Sequence, residues 1–419
     1  MVTPAHSWPE LEQLAAGFSS PDPVHGPASA QARLRLFGQP PEAVRVTLYR
    51  DHHAWCPYCQ KVWLWLEERR IPYRVRKVAM VCYGEKESWY RRLVPSGMLP
   101  ALEIDGRLIT ESDRILAELE RSFGPLGAPL QEPAVRGLRE LERELFRAWC
   151  LWLCQPARNA AEAERLALPF LRLSEQLEVA LEQGPGPFLL DSFSAADLVF
   201  VPFLERMSAS LAYYKGHLLR RRHGAIDQWF EALEQRPAYL GCQSDFHTHA
   251  HDLPPQLGGC VASGHPEQRR LAQRINQGPW PILGEEAPDP ETSRSEPEAA
   301  RAEALARTLR HRAVLLRRNP AGEEGFDAPL RAALTHLASG VDCPPPAGSA
   351  TALRHLRDRI SVPRDMSLHA ARRLRAALEH TASLDPATPT AQPPPIPVRD
   401  RRDQDPRPFL AAAEQRQSA

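Results

Sequence analysis

Apolar and polar positions in the first half of the chain follow a strand period and a helix period in turn. Residues 44–48 alternate between apolar and polar, which predicts a strand buried on at least one face, and the segment after them carries apolar residues at helical spacing. A second alternating strand is predicted over residues 73–80. The dipeptide Asp105-Gly106 is a hairpin signal between two further short strands, and a helix is predicted after them. The pattern therefore predicts the order strand, helix, strand, strand, strand, helix.

The following region has only helical patterns. Residues 133–155 repeat an apolar residue every three or four positions, and residues 160–182 do the same around Pro169, which we expect to kink or break that helix. Ser194 and Asp197 have the spacing of a capping box, in which the serine caps the helix and the acid reaches back. The helix that they open is almost wholly apolar, so we expect it to be the buried centre of an all-helical domain.

Stretches rich in proline, glycine and serine divide the chain. Residues 1–43 show little periodicity beyond a short helix near Trp8, and we interpret them as an extension that packs loosely or stays mobile. Further helical patterns cover residues 299–318, 328–339 and 366–382. The proline- and arginine-rich end is predicted to be disordered. The predicted organisation is an N-terminal extension (1–43), a strand–helix domain (44–123), an all-helical domain (133–246), a helical extension of unknown role (247–385) and a disordered tail (386–419).

Two cysteines stand where the first strand meets the first helix, in Trp55-Cys56-Pro57-Tyr58-Cys59. Proline fits the first helical turn, and the unpaired N–H groups and positive dipole end there favour a thiolate at Cys56. We therefore expect a reactive thiol at this position. A zinc site would need a second ligand pair at matching spacing, which the following residues lack, and a pair of core cysteines fits this junction poorly. Redox or thiol chemistry is the favoured interpretation.

The remaining cysteines and a histidine cluster suggest no further chemistry. Irregular spacing indicates that the other cysteines are reduced. Cys150 and Cys154 share a helix face, and we interpret them as buried small residues, with a second thiol pair as the alternative. His247, His249 and His251 alternate, which would place three imidazoles on one side of an extended segment. Such a cluster can bind a transition metal, but surface loops also collect histidines, so no metal ligand is assigned.

The composition is that of a soluble chain long enough for two or three domains. Its 419 residues include 52 basic and 52 acidic side chains, so the formal net charge is zero and no basic excess indicates nucleic acid. No apolar run approaches the roughly 18 residues of a membrane span. The N-terminus lacks a signal-peptide pattern. We therefore expect a cytoplasmic protein with no nucleic-acid or membrane partner.

With these motifs the sequence resembles the glutathione transferase superfamily, in particular its cysteine-type, omega-like members. The resemblance rests on the motif that contains Cys56 and Cys59, on residues 98–102 and on Glu111-Ser112, and it recurs from the capping box to about residue 246. It implies an α/β thioredoxin-like N-terminal domain that binds glutathione, followed by an all-α C-terminal domain. Residues 247–419 lie outside the resemblance.

The resemblance also implies individual roles. Pro100 would be cis, and the backbone of Leu99 would pair with the cysteinyl part of glutathione. Glu111 and Ser112 would hold the γ-glutamyl end, while a solvated surface charge and a helix N-cap are the respective alternatives. Lys86 occupies a place where cysteine-type members often carry a lysine near the glycyl carboxylate.

A cysteine at the active position implies a particular reaction. Its own thiolate attacks and glutathione joins it as a mixed disulfide, so we expect thiol transfer, deglutathionylation or reduction of a glutathionyl adduct rather than simple conjugation. Cys56 is the predicted nucleophile, and Cys59 could resolve the mixed disulfide. Glutathione is the expected cosubstrate, no metal is expected, and the second substrate is a small electrophile or disulfide. Trp149 and Trp152 would line its pocket unless they pack in the core.

Two other functions stay open at this point. The chain could be a dithiol oxidoreductase that does not use glutathione, or a binding module that holds glutathione or a partner protein without turnover. In the second case the C-terminal extension would be the working part. Only the resemblance suggests a homodimer.

Overall fold

The computed structural model describes residues 4–80, 85–278 and 291–387. The five strands β1 to β5 span Leu34–Arg35, Val46–Asp51, Tyr73–Val78, Ala101–Ile104 and Arg107–Thr110, and a 3-10 turn spans Pro41–Ala43. The helices α1 to α16 span Trp8–Ala15, Pro57–Glu68, Ser88–Leu93, Ser112–Phe123, Pro133–Cys154, Ala160–Glu182, Ala195–Lys215, Leu219–Arg222, Gly224–Leu233, Pro237–Cys242, Phe246–Leu257, Pro266–Gln277, Ala300–Arg318, Gly322–Ser339, Ala350–Arg359 and Leu368–Ser383.

The described residues form two compact units. The first comprises residues 21–80, 85–272 and 291–294, and the second comprises residues 4–20, 273–278 and 295–387. The sheet and the helices α2 to α11 lie in the first unit, whereas α1 belongs to the second. The domain boundaries predicted at 123–133 and at 246–247 therefore fall inside the first unit and stay predictions.

The first unit contains a five-stranded mixed sheet in the order β1-β3-β2-β4-β5. Strands β2 and β3 are parallel, with Leu48 opposite Val75, and α2 connects them. Strand β4 pairs antiparallel with β2, and β5 pairs antiparallel with β4. The predicted order of the central elements is confirmed, and the fold is thioredoxin-like. The helix α3 and the edge strand β1 were not predicted.

Residues 30–37 pack within the first unit, so the prediction of loose packing for residues 1–43 is wrong for this stretch. Strand β1 pairs antiparallel with β3. Arg35 is buried, and its Nε donates to Glu67 Oε1 at 2.8 Å. The hydroxyl of Tyr73 donates to the same carboxylate at 2.6 Å. A charged residue in a strand of only two residues leaves no periodic pattern, because its burial depends on a partner far along the chain.

The helical part of the first unit surrounds α7, which is buried along nearly its whole length. The predicted capping box is confirmed, because Asp197 Oδ2 accepts from the Ser194 N–H at 2.9 Å. Asp197 Oδ1 also accepts from the Trp229 indole at 3.0 Å, which ties α7 to α9. Helix α6 continues through Pro169 from Ala160 to Glu182, so the helix is not broken there.

The second unit is all helical in its described part. Helices α13 to α16 share one apolar core, and α1 adds the fully buried Leu11 to it. The indole of Trp8 donates to Asp327 Oδ1 at 2.8 Å. Loose packing is therefore wrong for α1 as well. Helix α15 was not predicted, since its sequence is rich in arginine. Cys82 and residues 388–419 of the predicted disordered tail lie outside the described residues.

Candidate active site

A tight turn between β2 and α2 places the two cysteines. Asp51 ends β2, and its Oδ2 accepts from the backbone N–H of Trp55 at 2.7 Å. Between them Ala54 has a φ of 57°, a left-handed conformation that L side chains seldom adopt. The carboxylate thus holds a strained turn closed, and Cys56 follows directly as the residue that caps α2.

Cys56 and Cys59 lie at the start of α2 with Pro57 in the first helical position. Both side chains are buried, at 6% and 1% exposed. Burial raises the pKa of the Cys59 thiol well above its usual value, and its hydrogen bond to Cys56 raises it further. Cys59 therefore stays protonated and donates toward Cys56.

Asp51 is a third functional group beside the thiols. One carboxylate oxygen and the sulfurs of Cys56 and Cys59 all lie within 4.8 Å of one another. The side chain is fully buried, and Oδ1 has no hydrogen-bond partner among the residues that the structure describes. A buried acceptor next to a protonated thiol can receive its proton. The sequence analysis missed this residue, although an acid at the end of an apolar strand just before a Cys-x-x-Cys pair is a readable signal.

Helix α7 supports the active-site turn through two charged side chains. Gln60 Nε2, on α2, donates to Glu205 Oε2 at 2.8 Å, and Arg206 donates to Gln60 Oε1 at 3.0 Å. Arg206 also donates to the backbone carbonyl of Trp55, and its guanidinium lies 4.5 Å from the centre of the Trp55 ring. The residue before the nucleophile is therefore fixed by a buried cation from the helical region.

The histidine cluster is helical, so the predicted extended segment over residues 247–251 is wrong. These residues lie in α11, where the imidazoles of His247 and His251 are one turn apart with ring centres separated by 4.6 Å. His249 is buried and accepts from the Trp55 indole through Nδ1 at 3.0 Å. Burial lowers the pKa of His249, so the ring is neutral and can accept. One of the three histidines thus acts as a packing partner of the active-site tryptophan.

The predicted glutathione-binding segment, residues 98–100, contains a cis peptide between Leu99 and Pro100, as the resemblance implies. The Tyr90 hydroxyl donates to the carbonyl of Met98 at 2.6 Å. Burial raises the pKa of Tyr90, and electrostatic interaction with Cys59 and Cys56 raises it further. A buried tyrosine therefore holds the backbone just before the cis peptide.

Lys86 is on the same side of the site. Its half-buried ammonium donates to the carbonyl of Ala79 at 3.0 Å. Burial lowers the pKa of Lys86, while electrostatic interaction with Cys59 and Cys56 acts in the opposite direction. The lysine is thus electrostatically linked to both thiols.

Glu111 and Ser112 lie at the start of α4, directly after β5. Ser112 is buried and is the first residue of the helix, whereas the exposed Glu111 is at the N-cap position without a side-chain capping bond. The alternative of a serine N-cap is therefore wrong. Glu111 has a φ of 67°, a strained conformation for a residue other than glycine. Strain of this kind, on the order of 1–3 kcal/mol, is concentrated at functional sites.

Trp149 does not line a pocket. It is 1% exposed, and its indole donates to Ser210 Oγ at 3.0 Å, so core packing is its role. Trp152 packs against Phe170 and His217, with ring centres at 5.5 and 5.3 Å. A cavity of about 400 Å³ lies instead along α4 and α5, and most of its lining is charged: Asp113, Arg136, Arg139, Glu140, Glu142, Arg143, Glu144, Arg147 and Val199.

Two groups of side chains in the described residues have the donor atoms and spacing of metal ligands. One is Asp51 with Cys56 and Cys59, and the other is His336, Asp342 and His380 in the second unit. Helices that are long and apolar enough to cross a membrane are absent from the described part of the chain.

Two family models match the chain. One, described as the N-terminal domain of glutathione S-transferase, matches residues 55–122, and the other, described as its C-terminal domain, matches residues 106–232. The chain is 27% identical over 188 residues to glutathione S-transferase DHAR2 of Arabidopsis thaliana, which covers 44% of this chain and 82% of that protein. It is 26% identical over 194 residues to glutathione S-transferase L3 of the same plant, with coverage of 45% and 79%. The structure of glutathione transferase Omega 3C from Trametes versicolor aligns with a TM-score of 0.41 and 23% identity, over 58% of this chain and 98% of that one.

Proposed function

We propose that the chain, which belongs to the glutathione transferase superfamily, is a glutathione-dependent thiol transferase with Cys56 at its active position. Its reaction would be deglutathionylation or reduction of a glutathionyl adduct through the Cys56 thiolate. The observation that carries this proposal is the arrangement of Cys56, Cys59 and Asp51 within 4.8 Å at the start of α2. Relatives named glutathione S-transferases support the use of glutathione as cosubstrate.

In the first step the Cys56 thiolate attacks the sulfur of the glutathionyl group on a substrate. The substrate's sulfur leaves as a thiolate, and a Cys56–glutathione mixed disulfide forms. The unpaired N–H groups at the start of α2 favour the attacking thiolate before the step. Arg206 holds the carbonyl of Trp55 and so keeps the turn before Cys56 in place.

The mixed disulfide can then be resolved in two ways. A second glutathione thiolate can attack the glutathionyl sulfur, which releases glutathione disulfide and restores Cys56. Alternatively, Cys59 attacks the sulfur of Cys56, an internal disulfide forms and reduced glutathione leaves. Cys59 must lose its proton in this second route, and Asp51 is the acceptor beside it.

Glutathione would bind to residues at the cis peptide and at the start of α4. We assign the backbone of Leu99, next to Pro100, to the cysteinyl part, and Glu111 with Ser112 to the γ-glutamyl end. The N-terminus of α4 supports this assignment, because unpaired N–H groups there favour a carboxylate. The strained backbone of Glu111 is a second support. Lys86 is assigned to the glycyl carboxylate, on the basis of its electrostatic link to the thiols.

A turnover assay tests this proposal. Glutathione-dependent reduction of hydroxyethyl disulfide is measured beside conjugation of a chlorodinitrobenzene for wild type, Cys56→Ser and Cys59→Ser. We expect disulfide reduction to exceed conjugation, to be abolished in Cys56→Ser and to persist in Cys59→Ser through the second glutathione. Cys343→Ser, in the other unit, is the matched control and should retain wild-type turnover. Equal activity of Cys56→Ser and wild type would overturn the proposal.

A second candidate function is supported by the same observation. The close approach of Cys59 and Asp51 to Cys56 also suits a dithiol oxidoreductase that never uses glutathione. In that case Cys59→Ser would lose all turnover, and reduced glutathione could be replaced by another thiol without loss of rate. A non-catalytic binding module would bind glutathione but show no turnover with either substrate.

We also propose a cytoplasmic location. A rice relative, 26% identical over 187 residues, is named as a cytosolic glutathione S-transferase, which supports the location that the sequence predicts.

A further inference from the structure

Three cysteines of the first unit come together away from the active site. Cys150 and Cys154 lie one turn apart at the end of α5, and Cys154 is its last residue. Cys260 follows α11 in the sequence. The backbone N–H of Val261 donates to the carbonyl of Leu153 at 2.9 Å, which places Cys260 beside Cys154.

The loop after α11 is built to bring Cys260 there. Gly258 has a φ of 77° and Gly259 a φ of 135°, conformations that L side chains seldom adopt. Two such residues in succession reverse the chain direction within a short distance. The return places Cys260 and Val261 against the ends of α5 and α7.

Lys215 adds a positive charge to this group. It is the last residue of α7, and its Nζ donates to the carbonyl of Val261 at 2.6 Å. Burial lowers the pKa of Lys215 to about 8, while electrostatic interaction with Cys154 and Cys260 acts in the opposite direction. Because its Nζ is hydrogen-bonded to the residue after Cys260, Lys215 adds positive charge beside the loop that carries this thiol.

The environments of the three thiols assign them different roles. A hydrogen bond from Cys260 lowers the pKa of Cys154, and the charge of Lys215 lowers it further. Donation of that hydrogen bond raises the pKa of Cys260. Burial raises the pKa of Cys150 to about 12, so Cys150 remains a thiol. Cys154 is therefore the nucleophile of the group, and Cys260 is the protonated partner.

Solvent access separates this pair from the structural cysteines. Cys154 and Cys260 are both partly exposed, whereas Cys242 is 2% exposed. In the described residues, the groups with metal-ligand spacing do not include Cys154 or Cys260. The pair is thus reachable by a small disulfide and lacks the third donor that a metal site needs.

We propose that Cys154 and Cys260 form a second redox-active dithiol, which reacts with glutathione disulfide independently of Cys56. The Cys154 thiolate attacks one sulfur of glutathione disulfide, the sulfur–sulfur bond breaks and one glutathione thiolate leaves. Cys260 then attacks the sulfur of Cys154, gives up its proton and releases the second glutathione. Two thiols are oxidised to one Cys154–Cys260 disulfide, and glutathione disulfide is reduced to two glutathiones.

The sequence interpretation of Cys150 and Cys154 as two buried small residues is wrong, because both are partly exposed. The partner of Cys154 is more than a hundred residues away in the chain. No spacing rule connects positions so distant, and only the reversal after α11 brings them together.

The test uses the full chain with Cys56 and Cys59 both changed to serine, so that the active-site pair cannot contribute. The protein is treated with glutathione disulfide, free thiols are alkylated, and peptides are mapped by mass. We expect a Cys154–Cys260 cross-link. Adding Cys260→Ser should trap one glutathionyl group on Cys154, and adding Cys154→Ser should abolish both the cross-link and any adduct at Cys260. Cys242 serves as an internal control that is alkylated only after denaturation.

A second measurement needs no substitution. The alkylation rate of each cysteine in the wild-type chain is followed from pH 6 to pH 9, and Cys154 should reach half of its maximal rate at a lower pH than Cys150. The proposal is overturned if Cys154 and Cys260 are recovered as free thiols after excess glutathione disulfide, or if Cys154 cross-links to Cys150 instead. It is also overturned if Cys150 and Cys154 alkylate with the same pH dependence.

Discussion

The role of Asp51 as the proton acceptor for Cys59 can be tested with the nearly isosteric substitution Asp51→Asn. The amide oxygen can still accept from the N–H of Trp55, so the turn before Cys56 is kept. The change removes a negative charge beside both thiols and removes the acceptor for the Cys59 proton. These two consequences act in opposite directions on the step in which Cys59 resolves the mixed disulfide.

The magnitudes decide which consequence prevails. A unit charge within 4.8 Å of a sulfur is worth on the order of 3 kcal/mol at an effective dielectric constant of about 20. Its removal would lower the pKa of Cys59 and so raise the thiolate fraction of this residue. The larger thiolate fraction, offset by the weaker nucleophilicity of a more acidic thiol, would speed attack about tenfold. Loss of a positioned proton acceptor costs about a hundredfold or more. We therefore expect resolution in Asp51→Asn to be about tenfold slower near neutral pH.

The assay separates the two steps. The enzyme is mixed with glutathione disulfide, quenched with acid at successive times, and analysed by intact mass for the mixed disulfide and the internal disulfide. In Asp51→Asn the mixed disulfide should accumulate, and its resolution should accelerate as the pH rises, because the Cys59 proton must then go to solvent. Asp105→Asn, on the exposed hairpin, is the matched control. A resolution rate within twofold of wild type, or a faster one, would refute the role of Asp51.

Three further substitutions test the framework of the site. Glu67→Gln breaks the buried ion pair with Arg35 and should lower the free energy of unfolding in urea by about 3–5 kcal/mol. The exposed Asp105→Asn should lower it by less than about 1 kcal/mol. Similar losses in the two variants would contradict the argument from burial. Ser194→Ala removes the N-cap of α7 and should cost about 1 kcal/mol, so an unchanged urea midpoint would be inconsistent with the capping box. Arg206→Lys keeps the charge but loses the guanidinium that donates to both Trp55 and Gln60. We expect slower glutathione adduct formation with an unchanged circular dichroism spectrum. A wild-type rate would show that these hydrogen bonds are dispensable.

Local patterns in the sequence were sufficient for the central fold. The alternating strands, the hairpin at Asp105 and the capping box at Ser194 each depend on residues close together in the chain, and each is present in the structure. The cysteine pair at the strand–helix junction was predicted for the same reason. Its position at the start of α2 depends on one local turn and one proline.

Features that depend on distant partners were not predicted. Arg35 is buried because Glu67, thirty-two residues along the chain, neutralises it. The alternation of His247 and His249 suggested an extended segment, but Asp245 caps a helix there through the N–H of Thr248. The sequence pattern did not show whether Trp149 lines a pocket or packs in the core, since an aromatic residue on an amphipathic helix suits either place.

The central claim is that Cys56 is the nucleophile and that glutathione is its cosubstrate. The most direct measurement is the intact mass of wild type, Cys56→Ser and Cys59→Ser after brief exposure to a small excess of glutathione disulfide, with adducts located by peptide mapping. The account predicts a glutathionyl group on Cys56 in Cys59→Ser, an internal Cys56–Cys59 disulfide in wild type, and neither modification at this motif in Cys56→Ser. A glutathionyl group on Cys59 in Cys56→Ser, or no uptake at this motif in any variant, would contradict it.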